Sequence, residues 1–144
     1  GDQPGREYPQ YLRPWRSLPE GIFIATWKFE PRGDIGNPQT LGNFLYNTNK
    51  PTVEIPVPSV NGVKTIPVPY IAFDYLGHLV SGQQDEFIPL ARGSVEAQLD
   101  NNGNLIWKPA KAQEEPANNS VDNFNHIHID WLTGRASLEH PEIQ

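Results

Sequence analysis

Fifteen prolines in 144 residues set the first limit on this fold. Each one fixes φ, removes a backbone donor and obstructs a helix interior. Pro4, Pro9, Pro14 and Pro19 recur at intervals of five, so no regular helix runs through the opening segment. Twelve glycines add sites for tight turns. Together they predict short strands and many loops, and no stretch shows the apolar period of an amphipathic helix. The length suits one domain, read as an arm over residues 1–20 and a β-rich body over 21–144.

Residues 21–29 are rich in β-formers and read as a strand. Alternation puts Phe23, Ala25, Trp27 and Phe29 in the core, and Ile22, Ile24, Thr26 and Lys28 on the opposite face. The region 30–50 reads as a loop pinned to the core by Phe44, Leu45 and Tyr46. Further on, Ile55-Pro56-Val57-Pro58 is echoed by Ile66-Pro67-Val68-Pro69, with the hairpin signal Asn61-Gly62 midway. An Asn-Gly turn sets Val60 opposite Val63 and Pro58 opposite Thr65. Pro58, Pro67 and Pro69 then fall where ladder donors are required, which predicts a hairpin paired only near its tip. A binding flap and a blunted sheet edge both fit such a ribbon, and the edge is the plainer reading.

Residues 70–74, 86–91, 95–99, 105–107, 124–132 and 136–138 read as further strands. Phe73 is expected in the core. The segment 109–123 reads as a polar loop. The opening arm is expected to pack on the domain, with a short helical turn near Gln10–Trp15.

The net charge of -6 is unevenly placed. Residues 1–84 balance, while residues 85–144 hold ten acidic and four basic side chains. Such a surface repels phosphate backbones and anionic membrane surfaces. The absence of cysteine excludes disulfides and thiolate-bound zinc. No apolar run approaches the roughly 20 residues of a membrane span.

The most suggestive chemistry is His126-Ile127-His128-Ile129-Asp130. In a strand, His126, His128 and Asp130 share a face, and two imidazoles with a carboxylate are a credible divalent-metal set. The plainer reading is a wet polar face with Ile127, Ile129 and Trp131 pointing into the core. Asp100-Asn101-Asn102-Gly103-Asn104 opens like a calcium loop but carries Leu105 and Lys111 where an EF-hand needs Gly and Glu, so it reads as a turn. No serine sits in a Gly-x-Ser-x-Gly elbow, and no phosphate loop or His-Glu-x-x-His occurs. Asn118-Asn119-Ser120 fits a glycosylation sequon. The sequence assigns no catalytic, cofactor-binding or metal-binding residue.

Three pieces in order carry a family likeness. They are Leu18-Pro19-Glu20-Gly21-Ile22; then Tyr70 through Leu79 followed by Ile88-Pro89-Leu90-Ala91-Arg92-Gly93-Ser94; and finally Ile127 through Ala136 with its Thr133-Gly134-Arg135. The succession resembles the globular domain of H-type minor pseudopilins and related type IV pilin-like, prepilin-type proteins. The resemblance implies a mainly β head of two small antiparallel sheets, sandwich-like, with little helix. It implies a non-enzymatic part in filament assembly and protein transport by a type II secretion system or pilus. Partners would be other pilin or pseudopilin subunits and a secreted protein, without cofactors. It further implies a periplasmic head, anchored in the inner membrane by an apolar helix before Gly1. The family pattern places a short basic leader ahead of that helix and a Glu near the helix start. Two rivals stand beside it. One is a β-sandwich module binding carbohydrate or another surface through Trp15, Trp107 or Trp131. The other is a small metal-dependent enzyme built on His126, His128 and Asp130.

Overall fold

A computed structural model describes residues 11–29, 40–41, 44–48, 50–59, 62–80, 83–96, 99–103 and 111–141. In chain order the strands are β1 (Ile22–Ile24), β2 (Thr40–Leu41), β3 (Phe44–Leu45), β4 (Thr52–Ser59) and β5 (Gly62–Pro69). They continue with β6 (Glu86–Glu96), β7 (Lys111–Glu114), β8 (Asn125–Ile129) and β9 (Ala136–Glu139). A 3₁₀ turn spans Thr26–Phe29, and a single helical turn, α1, spans Asn119–Asp122. The fold is mainly β and every pairing is antiparallel. One five-stranded sheet runs β1-β6-β8-β9, with β7 joined to the distal part of β6. β2-β3 and β4-β5 form separate two-stranded ribbons.

β6 organises the large sheet, and its Pro89 explains how β1 ends. The Pro89 carbonyl accepts from the Ala25 amide at 3.0 Å, so the missing Pro89 donor lies on the β1 side. The Ala25 carbonyl therefore receives nothing from Pro89. It accepts from the Lys28 amide instead, at 3.0 Å, and the chain coils into the 3₁₀ turn. The strand expected over 21–29 is thus three residues long. Phe23, Ala25 and Trp27 are buried as expected, but Lys28 is wholly buried and Phe29 is 39% exposed.

Proline also sets the register of the β4-β5 ribbon. The observed pairs run from Ser59↔Gly62 to Thr52↔Pro69, with Pro58 opposite Val63. This differs from the register that an Asn61-Gly62 turn would impose, and the arms do not splay. Residues flanking a two-residue loop form a hydrogen-bonded pair, and such pairs alternate with non-bonded ones. Pro56, Pro58, Pro67 and Pro69 then all occupy non-bonded positions, so no ladder bond is lost. The Tyr70 amide donating to Pro51 O at 3.2 Å extends the same alternation. Both ribbon edges consequently present carbonyls without matching donors at these prolines, which blocks strand addition.

Directly paired residues in an antiparallel sheet share a face. On the inner face Phe23 pairs Ala91, Pro89 pairs His126, and Phe87 pairs His128. The core behind it holds Ala25, Trp27, Tyr46 and Phe124, with Phe44, Phe87 and Val121 packed around them. Trp27 meets Tyr46 and Phe124 edge-to-face, an arrangement favoured by the ring quadrupoles. The Trp27 indole N–H donates to Ser120 O at 3.1 Å. Buried Asn119 exchanges side-chain hydrogen bonds with the Arg92 backbone, fixing α1 to β6. Of the three side chains expected to pin the 30–50 region, Tyr46 and Phe44 do so, while Leu45 is largely exposed.

Several sequence expectations change. Residues 70–80 contribute only an isolated bridge, Phe73↔Leu79, and Phe73 is 48% exposed, outside the core. The strands expected at 86–91 and 95–99 begin as one continuous strand. Residues 109–123 include β7 and α1. Residues 11–20 form no helical turn and are exposed throughout. The strand at 105–107 and the arm before Tyr11 lie outside the described residues.

Two glycine loops lock one end of the sheet. Asp74 Oδ1 accepts from the Leu76 and His78 amides, while Asp130 Oδ1 accepts from the Leu132 and Thr133 amides and the Thr133 hydroxyl. The loops touch where a Cβ on Gly134, at φ +69, would collide with the Gly77 carbonyl. Left-handed strain plus overpacking should make Gly134→Ala cost about 2–4 kcal/mol. Gly21→Ala, at φ +81 with open space around its Cβ, should cost only about 1–2 kcal/mol. Urea unfolding of both variants checks the difference, and equal losses would refute the loop contact.

Candidate functional site

The alternation that places His126 and His128 on one face of β8 turns that face inward. His126 is wholly buried. This corrects the expected wet histidine face, for a physical reason visible in the partners. Phe44 packs edge-on against the His126 ring at 4.8 Å, and Phe87 stacks on His128 at 4.6 Å. Both polar ring atoms of each imidazole are satisfied, which is what a buried polar group requires. The opposite face carries Ile127, half-buried, and Ile129, buried; Trp131 is half-buried in the turn that follows.

The hydrogen-bond chain is continuous. Tyr46 Oη lies 2.8 Å from His126 Nδ1. His126 Nε2 lies 2.9 Å from Glu139 Oε2, and Glu139 Oε1 lies 2.8 Å from His128 Nδ1. His128 Nε2 lies 2.6 Å from Asp85 Oδ2, whose other oxygen accepts from the Trp131 amide at 3.1 Å. A carboxylate only accepts, so His126 donates from Nε2 to Glu139, and because burial favours the uncharged ring Nδ1 accepts the Tyr46 hydroxyl proton. It is neutral. His128 faces a carboxylate at each nitrogen and donates from both, so it is an imidazolium.

The pKa directions agree. Burial lowers His126 below its ordinary value, outweighing the Glu139 hydrogen bond and charge. Burial also works to lower His128, but its hydrogen bonds to Asp85 and Glu139 and their charges prevail and raise it. The bond from His128, then that from His126, holds Glu139 low. Burial, then the Glu139 charge, raises Tyr46.

Asp130 does not join this group. β8 ends at Ile129, and Asp130 spends its carboxylate on the turn, with the Thr133 amide bond lowering its pKa first. Glu139, Asp85 and Tyr46 replace it around the histidines. A two-residue Thr133-Gly134 turn would set His128 opposite Glu139, whereas the longer turn closed between Asp130 and Arg135 gives His126↔Glu139, so sequence reasoning could bring Glu139 to the histidine strand but not to its register. Asp85 and Tyr46 arrive from distant segments and left no local signal.

This arrangement engages both nitrogens of each histidine in hydrogen bonds within the fold. Ser137 lies opposite His128, yet both His128 nitrogens are committed donors, and a general base needs a free lone pair. Among the described residues no set of three or more His, Cys, Asp or Glu side chains is arranged to hold a metal. The Asp100 turn closes with Gly103 N donating to Asp100 O.

A second buried cluster sits beside it. Glu86 pairs with both Lys28 and Lys50, all three nearly inaccessible to solvent. Lys28 also donates to Tyr46 O at 2.7 Å. Burial pushes Lys28 down to about 8, against the opposing pull of Glu86. The cluster ties the 3₁₀ turn and the segment after β3 to the start of β6, and removing Glu86 would strand two buried cations.

With this geometry described, comparison with known proteins adds no relative. No family model, curated protein or solved structure matches the chain.

Linkage fixes the pH behaviour. His126, lowered, contributes stability above its ordinary 6.5 that is lost as pH falls through its folded value. Glu139, also lowered, contributes above its ordinary 4.5 and loses that as pH falls through its folded value. His128, raised, contributes fully below 6.5 and loses it as pH rises through its folded value. The histidines and Glu139 should therefore make unfolding midpoints highest near pH 6.5 and lower on both sides, with buried Lys28, lowered to about 8, adding an opposing rise from there towards its ordinary 10.5. His128→Asn should flatten the alkaline limb and, because the His128 bond is what chiefly holds Glu139 low, also soften the acid one; an unchanged alkaline limb would contradict the assignment.

Proposed function

We propose that this chain is the head domain of a non-enzymatic filament subunit of the type IV pilin kind, closest in character to a minor pseudopilin. It works by docking, without turnover. The observation that carries this reading is the outer face of the large sheet. There Ile24 pairs Leu90, and Ile88, Ile127 and Leu138 form one row across three strands. Ile24, Ile88, Leu90 and Ile127 are half-buried, and Leu138 is 67% exposed. A sheet that buries one face against its own core and keeps the other apolar is shaped to receive another element. An apolar helix of the pilin type presents the complementary surface to these rows, while at the end of the same face Ile129 and its partner Glu86 are already buried. The family likeness of the three sequence pieces supports the same reading, with the periplasm as its setting and other filament subunits as partners.

The carbohydrate-module rival has less behind it. Trp15 is exposed, but it borders a mainly apolar groove, Trp131 is half-buried, and Trp107 lies outside the described residues.

A synthetic apolar helical peptide of pilin-anchor type provides the test. Titrated into the chain, it should shift NMR signals of Ile24, Ile88, Leu90, Ile127 and Leu138. Leu138→Asp, an exposed change, should keep the fold and weaken the peptide by at least about tenfold. Shifts confined to the Trp15 groove on adding oligosaccharides, with none on the sheet face, would sink the filament reading.

A further inference from the structure

The arm before β1 builds a second surface. It crosses the β4-β5 ribbon, where the Tyr11 hydroxyl donates to Pro56 O at 3.0 Å. Between arm and ribbon lies a groove of about 560 Å³, lined among others by Tyr11, Leu12, Trp15, Pro56 and Val63. Its side chains are large, apolar and uncovered: Leu12 is 87%, Val63 76% and Trp15 72% exposed. The Tyr11 and Trp15 rings stand 5.8 Å apart and tilted, giving a notched aromatic wall. Strand addition does not explain the groove, because Pro56 and Pro58 offer no donors along that edge. Recognition here falls to side chains.

Charge names the occupant. Arg13 and Arg16 flank Trp15, and no acidic residue occurs from 11 to 19. The acidic surplus lies wholly in residues 85–144. There the chain displays an acidic proline corner, Glu115-Pro116-Ala117, exposed at all three positions just after β7. Glu114 beside it caps the Ser120 amide at 3.3 Å, which leaves Glu115 as the outward charge. Within one copy the two surfaces do not cover each other, since Trp15 and Pro116 are both exposed.

We propose that the arm groove binds the Glu115–Ala117 corner of a second copy of this chain. Arg13 and Arg16 meet Glu115, while Pro116 and Ala117 rest on the Tyr11–Trp15 wall. Because the two patches differ, the contact is heterologous and repeats from copy to copy, giving a ring or an open chain of subunits. Surface ion pairs are individually weak and screened by salt, so the apolar groove supplies the hold and the charges supply direction. The contact rests on this groove alone and not on what covers the outer sheet face.

Sedimentation velocity of the native chain, across protein concentration at low and high salt, is the first measurement. Association that grows with concentration and fades with salt is expected. Arg13→Glu with Arg16→Glu should abolish it, and Glu115→Arg should weaken it. Mixing these two variants should restore it, because the reversed charges again pair. All three positions are exposed, so unfolding midpoints should match the native chain. A native chain that stays monomeric at low salt would overturn the proposal, as would association that survives the arginine exchange. A monomer that instead binds a synthetic acidic, proline-containing peptide in the groove would also overturn it, assigning the site to a different partner.

Discussion

His126 lies between Glu139 and the Tyr46 hydroxyl, with the Phe44, Tyr46 and Phe87 rings packed against it. Burial there favours the neutral ring with its proton on Nε2. A protonated ring would place a charge inside the aromatic cluster. Much of the closing sheet follows from this one group. Glu139 is held to β8 by it, His128 is charged because Glu139 is anionic, and Asp85 is drawn to His128 at the entrance to β6. The chain therefore ties β9, β8, the start of β6 and the segment after β3 into one unit. Its polar groups are spent on each other. Any chemistry at the two histidines on this strand would have to compete with those hydrogen bonds.

Proline plays the complementary part at the backbone level. Pro89 ends β1 by withholding one donor, and the freed Ala25 carbonyl starts the turn that carries Trp27 and Lys28 inward. The four ribbon prolines choose a register in which none of their missing donors matters. The same choice leaves edges that cannot be extended by another strand. Any contact made along the ribbon edges therefore falls to side chains.

Much of this was legible in the sequence. The mainly β character, the strands at 86–91 and 124–132, the Thr133-Gly134 turn and the inward Phe23, Ala25 and Trp27 follow from alternation and turn chemistry. The direction of the β8 face was not legible. Ile129 is buried as its pattern suggests, but Ile127 is only half-buried and His126, which looks wet, is wholly buried, because burial of a histidine depends on partners that local pattern does not contain. Tyr46 and Asp85 are 80 and 43 residues away from the rings they bind. The ribbon register failed for a different reason: Asn61-Gly62 is a strong local signal, but the summed requirement of four prolines outweighs it. Lys28 was placed outward because strand alternation was carried past the point where Pro89 breaks it.

The central claim is that the inner-face histidines are committed to structure in fixed and different protonation states. Nitrogen-15 NMR of the imidazole rings in the native chain reads this directly. At neutral pH the expected result is a protonated Nε2 and a bare Nδ1 for His126, with protonation only below the ordinary histidine value. Two protonated nitrogens are expected for His128 under the same conditions. A His126 ring that carries its proton on Nδ1, or that titrates like a solvent-exposed histidine, would contradict the claim.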